Sequence, residues 1–361
     1  MKRFLFFIIF FFSLAFFGWG QIYNFRQFSI DQGLSQSQVF DICQDETGSM
    51  WFATYGGGIT IYDGLQARYL NAAHGLPSYS VISLLNDRKN NIWIGTAKGL
   101  TMFNGSGIVN VDKNRQLSHY WIWDIVEDKN GTIWIGTDLG AWYYKKGEIK
   151  PVLEKRIASS QIFSIFVDSD NNLWFSTFNG GVIKYDGRKY YYNLIDSTAN
   201  MMVEAIFEDH KHNIWVGSDN GLYRLNGKEK IRYSVNNGLP DNHILSLNED
   251  QAGNLWIGTE NAGIVVFDGT SFTNIGQDQG IQAKKVYKIF KDNTQQMWVA
   301  TDGAGAFIFN GFAFKHIRFP EIPSRVFITS IEGFNEVKYF GTEANGIIKY
   351  LGHNEIGRAH V

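Results

Sequence analysis

The chain repeats one short pattern seven times, and each copy has an aspartate six residues before a tryptophan. Successive tryptophans lie 40 to 42 residues apart. The pairs are Asp45 and Trp51, Asp87 and Trp93, Asp128 and Trp134, Asp168 and Trp174, Asp209 and Trp215, Asp250 and Trp256, and Asp292 and Trp298. Such a regular period is typical of a repeat architecture, in which every copy forms one structural unit.

Each repeat is predicted to contain four short β-strands. Residues 201–236 show them as MMVEAIFED, NIWVGSD, GLYRLNG and KIRYSVN. These segments are rich in β-branched and aromatic residues, and Asn, Asp and Gly separate them. A repeat of about 41 residues with four antiparallel strands has the size of one propeller blade. The sequence therefore predicts an all-β fold, a β-propeller of four-stranded antiparallel blades.

The repeated residues are predicted to build the blades and not an active site. The aspartate can accept hydrogen bonds from backbone N–H groups in the turn after the first strand. The tryptophan can cover apolar surface between neighbouring blades. Gly95, Gly136, Gly217 and Gly258, in the second strands, allow close approach of backbones. Residues 23–35 resemble the outer strand and loop of later repeats and are predicted to close the ring against the last blade.

The sixth copy shows the whole pattern, and this pattern identifies a family. It reads Gly238-Leu239-Pro240, Asp250, Gly253, Leu255-Trp256-Ile257-Gly258-Thr259 and Phe267-Asp268-Gly269. The pattern resembles the two-component regulator propeller repeat, and the resemblance covers about residues 21–352. It implies the periplasmic sensor region of a bacterial hybrid two-component or histidine kinase system. It also implies seven blades rather than eight and a ligand of the glycan-fragment class.

Residues 1–20 are predicted to be a signal peptide. Met1-Lys2-Arg3 supplies the positive start, residues 4–17 are apolar, and Gly18-Trp19-Gly20 places small residues at the expected cleavage positions. The chain is therefore expected in the periplasm or facing outward from the cell surface. An uncleaved anchor is the alternative, but the apolar run is shorter than the roughly 20 residues that span a bilayer.

The predicted propeller covers residues 21–311, with seven repeats and the closing strand. Residues 312–354 form an eighth copy, in which Gly333 and Tyr339 replace the aspartate and the tryptophan. This copy is predicted to begin a second propeller, and the alternative is the last blade of an eight-bladed ring. Residues 355–361, EIGRAHV, match the translation of a sequencing adapter and are predicted to be a non-native tail. The chain is accordingly expected to be a fragment.

Composition excludes several classes of function. The formal net charge is -2, and without a basic run there is no electrostatic case for binding nucleic acid. The single cysteine, Cys43, has no partner for an intrachain disulfide and is predicted to be buried. The eight histidines show no repeated spacing, so neither a metal site nor a cofactor is predicted.

Two loops of each blade are predicted to share one face, the loop before the innermost strand and the loop between the second and third strands. Variable loops on a rigid scaffold commonly carry binding residues. The ligand-binding candidates are Gln38, Tyr120, Trp121, Gln161, Asp219, His243, Glu260, Lys285 and Asp302. Tyr120 and Trp121, together with Trp123, are predicted to stack on a sugar ring while amides and carboxylates bind its hydroxyls.

The favoured interpretation is a non-catalytic, extracytoplasmic sensor that binds a small molecule or an oligosaccharide. Homodimerisation and membrane attachment are expected through C-terminal regions outside this chain, including a transmembrane segment and a histidine kinase. One alternative is a secreted scaffold for protein–protein interaction. The other is a propeller-fold polysaccharide lyase or hydrolase, for which His243 near Glu260 or Asp219 is the candidate catalytic group.

Overall fold

The computed structural model describes residues 23–312 except 179, 196–200, 277–280 and 282, and it describes the backbone of four more strands between 328 and 359. The predicted signal peptide lies outside the described residues.

Nearly all of the regular structure is β-strand, as the short β-branched and aromatic segments predict. In the described ranges the helical segments lie between strands and consist of α1 (Lys155–Ala158) and three 3-10 turns, Ile30–Gln32, Ala72–His74 and Val235–Asn237. Among the residues that the structure describes, no helix has both the length and the apolar character needed to cross a membrane.

The first four blades follow β1 (Tyr23–Phe28), and their strands run in chain order from the axis outward. Blade 1 consists of β2 (Val39–Gln44), β3 (Met50–Thr54), β4 (Gly58–Tyr62) and β5 (Ala67–Leu70). Blade 2 consists of β6 (Val81–Asn86), β7 (Ile92–Thr96), β8 (Gly99–Phe103) and β9 (Ile108–Val109). Blade 3 consists of β10 (Ile122–Glu127), β11 (Ile133–Thr137), β12 (Ala141–Lys145) and β13 (Glu148–Pro151). Blade 4 consists of β14 (Ile165–Val167), β15 (Leu173–Thr177), β16 (Gly181–Tyr185) and β17 (Tyr190–Tyr191).

The remaining blades of the ring repeat the same antiparallel order. Blade 5 consists of β18 (Val203–Glu208), β19 (Ile214–Ser218), β20 (Gly221–Asn226) and β21 (Glu229–Tyr233). Blade 6 consists of β22 (Ile244–Glu249), β23 (Leu255–Thr259), β24 (Ile264–Phe267) and β25 (Phe272–Ile275). Blade 7 consists of β26 (Val286–Lys291), β27 (Met297–Thr301), β28 (Ala306–Phe312) and β1.

The first strand of the ring completes the last blade. β1 pairs antiparallel with β28, so that Phe28 lies opposite Ala306 and Arg26 opposite Ile308. The innermost strands of blades 7 and 1, β26 and β2, are in contact. Because β1 occupies the outer edge of blade 7, the ring closes at seven blades. The predicted seven-bladed propeller is confirmed, and the eight-bladed alternative is wrong.

The eighth copy of the repeat forms a sheet of its own. Its strands are β29 (Ile328–Phe334), β30 (Val337–Thr342), β31 (Gly346–Tyr350) and β32 (Ile356–Ala359), and they pair antiparallel in chain order. Residues 314–361 make up a compact unit separate from the ring. That this copy begins a second propeller and that residues 355–361 are non-native both stay predictions.

The repeated aspartate and tryptophan form the same hydrogen-bonded turn in all seven blades of the ring. One carboxylate oxygen accepts the indole N–H of the tryptophan at 2.8–3.0 Å. The other oxygen accepts the backbone N–H groups two and four residues further on. In blade 5 these donors are Lys211 at 2.9 Å and Asn213 at 2.8 Å, and the acceptor is Asp209. The turn therefore fixes where the second strand begins and how its indole is oriented.

Hydrogen bonding also shifts the acidity of four of these aspartates. Burial by itself would raise the pKa of Asp87, Asp168, Asp209 and Asp292. Hydrogen bonds from side chains and backbone N–H groups outweigh that effect and hold each pKa below its usual value. The ionised carboxylates therefore stabilise the folded ring near neutral pH.

The oriented tryptophans build the seven apolar clusters between neighbouring blades. Each cluster combines the tryptophan of one blade with second-strand residues of the next, as Trp298 of blade 7 packs with Phe52 of blade 1. The glycines beside them leave no room for a side chain. A Cβ atom on Gly217 would lie 2.5 Å from Ile244 Cγ2 of the next blade.

Replacing Asp209 by asparagine is expected to destabilise the ring. The Trp215 indole and the backbone N–H groups of the turn would lose their charged acceptor, which costs about 1.5–3 kcal/mol. The midpoint of urea unfolding should fall for Asp209→Asn and stay nearly constant for the exposed control Glu229→Gln. Equal midpoints for the two variants would show that the charged turn is dispensable.

Replacing Gly217 by alanine should also destabilise the ring, because the new methyl group overlaps Ile244 of blade 6. Overpacking of this kind costs about 1–3 kcal/mol. Gly107→Ala is the matched control, since a Cβ atom there meets no atom within 4 Å. Thermal unfolding of both variants tests the prediction, and a Gly217→Ala protein as stable as Gly107→Ala would contradict it.

Candidate functional site

A ring of paired loop residues surrounds one end of the propeller axis. In each blade a residue of the loop between the second and third strands donates its N–H to the carbonyl of a residue in the loop before the innermost strand, at 3.0–3.3 Å. The pairs are Tyr55 and Gln38, Ala97 and Ser80, Asp138 and Trp121, Phe178 and Gln161, Asp219 and Met202, Glu260 and His243, and Asp302 and Lys285. We call these residues the rim. All of the predicted binding residues except Tyr120 lie on it.

Tyr120 belongs to a different part of the molecule. Its ring packs against the apolar cluster between blades 2 and 3, and its centroid lies 6.1 Å from that of Trp142. The structure therefore does not bring Tyr120 to the site with Trp121.

Inside the rim, one residue of each blade reaches the axis, and in six blades it is the second residue of the innermost strand. Six blades have a register irregularity at this residue, which turns it out of the regular pairing with the second strand. These residues are Phe40, Ile82, Trp123, Glu204, Leu245 and Tyr287, and Phe163 takes the same place in blade 4. They line a cavity of about 370 Å³ on the axis.

Aromatic side chains form a continuous arc around part of the cavity mouth. Their centroids are separated by 4.4 Å between Tyr287 and Phe40, 5.8 Å between Phe40 and Tyr55, and 6.4 Å between Tyr55 and Trp121. Trp121 continues to Trp123 at 5.2 Å, and Trp123 continues to Phe163 at 5.4 Å. We call these six residues the aromatic arc. Tyr55 is 41% exposed, so the arc offers an aromatic surface to a bound molecule.

Blades 5, 6 and 7 contribute two ion pairs to the same mouth. The His243 Nε2 atom lies 2.5 Å from Glu204 Oε2, and the Lys285 Nζ atom lies 2.8 Å from Glu260 Oε2. Lys285 also lies over the Tyr287 ring, 4.9 Å from its centroid. The partner of His243 is thus Glu204 of the neighbouring blade, and not Glu260 or Asp219 as the enzyme hypothesis assumed.

Asp219 and Asp138 have a structural role on the rim. Their carboxylates accept the backbone N–H groups of Met202 and Trp121 at 3.1 and 3.2 Å. Together with the backbone bonds of the rim, these contacts hold the two loops of a blade together.

The floor of the cavity contains a buried group of charges. Lys288 Nζ lies 3.0 Å from Asp41 Oδ1, and Asp124 also lines the cavity. Asp41 accepts the N–H of Leu84 from blade 2, and Asp124 accepts the N–H of Ile165 from blade 4, both at 2.8 Å. These carboxylates therefore join neighbouring blades at the axis.

The charges of the site affect each other's acidity. The hydrogen bond that His243 donates to the Glu204 carboxylate raises the pKa of His243 above its usual value, although burial acts in the opposite direction. Burial would lower the pKa of Lys285 and of Lys288, but neighbouring carboxylates outweigh it and raise both. The raised pKa favours the protonated form of His243, in which the ring donates its hydrogen bond to Glu204.

Two other predictions concern chemistry elsewhere in the chain. Cys43 is buried, and burial raises the pKa of its thiol well above the usual value, so it is not poised as a nucleophile. Within the described ranges, no group of three or more His, Cys, Asp and Glu side chains is arranged to hold a metal ion.

Fold and site together define a class of protein, a seven-bladed β-propeller with a cavity of ligand size on its axis. A family model described as the two component regulator propeller matches residues 33–56, 75–98, 116–138, 156–179 and 238–261. The chain therefore carries two component regulator propeller repeats, which confirms the family predicted from the repeated pattern.

Solved structures with the same fold include extracellular domains of two component systems. One such domain, of a hybrid system from B. thetaiotaomicron, is 20% identical with a TM-score of 0.69, covering 94% of this chain and 49% of that one. A second from the same organism is 21% identical with a TM-score of 0.66, covering 91% and 45%. This chain thus spans about half the length of these two domains.

Virginiamycin B lyase from Staphylococcus aureus also shares the fold, at 16% identity and a TM-score of 0.65, covering 79% of this chain and 98% of that one. At such identities the likeness concerns the fold alone. No curated protein matches the chain.

The ion pair between His243 and Glu204 predicts a measurable pH dependence. The pKa of His243 is raised in the folded state, so its stabilising effect is complete below about pH 6.5 and is lost as the pH rises through the folded pKa. NMR titration of the full chain should give a pKa for His243 above the ordinary histidine value of about 6.5. Glu204→Gln should lower the His243 value, and an unchanged value would exclude Glu204 as the cause.

Proposed function

We propose that this chain is the ligand-sensing region of a signalling protein and lies outside the cytoplasm. It binds its ligand at the opening of the axial cavity, which we call the axial mouth. The two component regulator propeller repeats and the shared fold with extracellular domains of two component systems support a sensor role. The loops whose residues vary between blades surround the cavity at the axis, which makes this cavity the proposed ligand site.

The observation that carries the proposal is the aromatic arc and the ion pairs around one cavity. A sugar ring has apolar faces, which stack on aromatic rings, and hydroxyl groups at its edge, which need hydrogen-bonding partners. Trp121 and Tyr55 provide the stacking surface, and Glu204, Glu260 and Gln38 provide polar groups. The indole N–H of Trp123 is buried without a hydrogen-bond partner among the described residues, so a ligand acceptor there would be favourable.

Signalling would follow from a shift between two arrangements of the intact protein. A ligand that binds one arrangement more tightly moves the population towards it. Because this chain spans about half of the related extracellular domains, the dimer contact, the transmembrane segment and the kinase are proposed for the longer protein.

A catalytic propeller is the second candidate, favoured by the short contact between His243 and Glu204. Elimination or hydrolysis would need a group there that accepts a proton, yet the raised pKa of His243 keeps it protonated to higher pH. Turnover of a bound oligosaccharide that disappears in His243→Ala would favour this candidate over a sensor without catalysis.

Binding to the aromatic arc is tested by calorimetry with the full chain and a panel of oligosaccharides of two to six units. We expect at least one to bind, and Trp121→Ala to weaken that binding by about tenfold or more, since stacking contributes roughly 1 kcal/mol beyond area burial. Tyr69→Ala is the control, because Tyr69 lies on the outer strand β5 and is 45% exposed.

Equal losses in the two variants, with the same thermal stability, would exclude the axial mouth as the site. Binding of a protein partner instead of any oligosaccharide would favour the scaffold alternative.

A further inference from the structure

The rim and the cavity contain more carboxylates than cationic groups. Seven carboxylates stand against three cationic side chains among the rim residues and the cavity lining. The carboxylates are Asp41, Asp124, Asp138, Glu204, Asp219, Glu260 and Asp302, and the cationic side chains are His243, Lys285 and Lys288. A cleft lined mainly by one sign of charge concentrates its field in the opening.

The pKa values of the two lysines reflect the negative charge around the cavity. Desolvation in the cavity would lower the pKa of Lys285 and of Lys288, but both are raised because neighbouring carboxylates outweigh it. An ammonium group placed in this cavity is therefore stabilised even after it leaves bulk water. A carboxylate or sulfate placed there would be disfavoured both by desolvation and by repulsion from the same carboxylates.

The ammonium group of Lys285 lies between a carboxylate and an aromatic ring at the mouth. Its Nζ atom lies 2.8 Å from a Glu260 oxygen and 4.9 Å from the centroid of the Tyr287 ring. A carboxylate on one side and an aromatic face on the other form a favourable environment for a cation. The cavity wall combines the same two types of group again, in Glu204 with Trp123 and Phe163.

We infer that the axial mouth selects ligands with a protonated amino group, and specifically an oligosaccharide of amino sugars with free amines. This inference rests on the proposed function of the mouth as an oligosaccharide site. The sugar ring stacks on the aromatic arc, while the ammonium group binds Glu204 or takes the place of the Lys285 ammonium beside Glu260. Uronic acid and sulfated chains are disfavoured because they bring negative charge to a negatively charged opening.

The test measures by calorimetry how tightly three tetrasaccharide probes bind the full chain at about pH 6, where an amino-sugar amine is protonated. The probes are a glucosamine tetramer, its fully N-acetylated counterpart and a galacturonate tetramer. We expect the glucosamine tetramer to bind at least about tenfold more tightly than the acetylated one, as a charge-assisted hydrogen bond allows. Its affinity should also fall as salt is added.

Variants identify the groups that carry the selectivity. Glu204→Gln and Glu260→Gln should each weaken binding of the glucosamine tetramer by about tenfold more than they weaken binding of the acetylated tetramer. Glu148→Gln is the control, because Glu148 lies on the exposed strand β13. Lys285→Met should strengthen glucosamine binding, because it removes the competing ammonium from Glu260 and Tyr287.

The outcomes separate the inference from the proposed function. If the acetylated or the galacturonate tetramer binds as tightly as glucosamine, and Trp121→Ala abolishes that binding, the charge selectivity is wrong and the site stands. If no probe binds, or if binding is unaffected by Trp121→Ala, both the inference and the proposed site fall. Weaker glucosamine binding in Lys285→Met would overturn the role assigned to the carboxylates.

Discussion

The hydrogen bond between each repeated aspartate and its tryptophan is the interaction on which the rest of the molecule depends. It ties the turn at the start of the second strand to the indole that fills the space between two blades. Indole position sets the packing of one blade on the next, and seven such contacts set the curvature of the ring. The innermost strands, and with them the cavity, are placed by this curvature and by the closing pair of β1 and β28.

The charged residues at the axis both join neighbouring blades and line the proposed ligand site. Asp41 and Asp124 join neighbouring blades through the backbone N–H groups of Leu84 and Ile165, and Lys288 offsets part of their charge. Burial of such carboxylates is unfavourable, and the cross-blade hydrogen bonds and Lys288 oppose it only in part at Asp124, whose pKa burial still raises. Two of the other carboxylates at the mouth, Glu204 and Glu260, form ion pairs that a cationic ligand could enter.

Much of the fold followed from short-range pattern, whereas the partners within the site did not. Strand and loop types predict that the two loops of a blade meet on one face, and every rim pair does so. Tyr120 precedes Trp121 by one residue, and this single step directs it to the core between blades. Apart from Trp123, the residues that reach the axis, such as Phe40 and Glu204, were not predicted, although they vary between repeats directly after a constant Val or Ile.

The sequence by itself determined the repeat, the four-stranded blade, the structural turn and the family, because these depend on spacing within about 40 residues. The tertiary structure decided the number of blades, since the pairing of β1 with β28 joins residues at opposite ends of the ring. It also decided that His243 binds Glu204, a residue of the preceding blade. Such contacts depend on the angle between blades and on side-chain reach, and both arise only when the ring is closed.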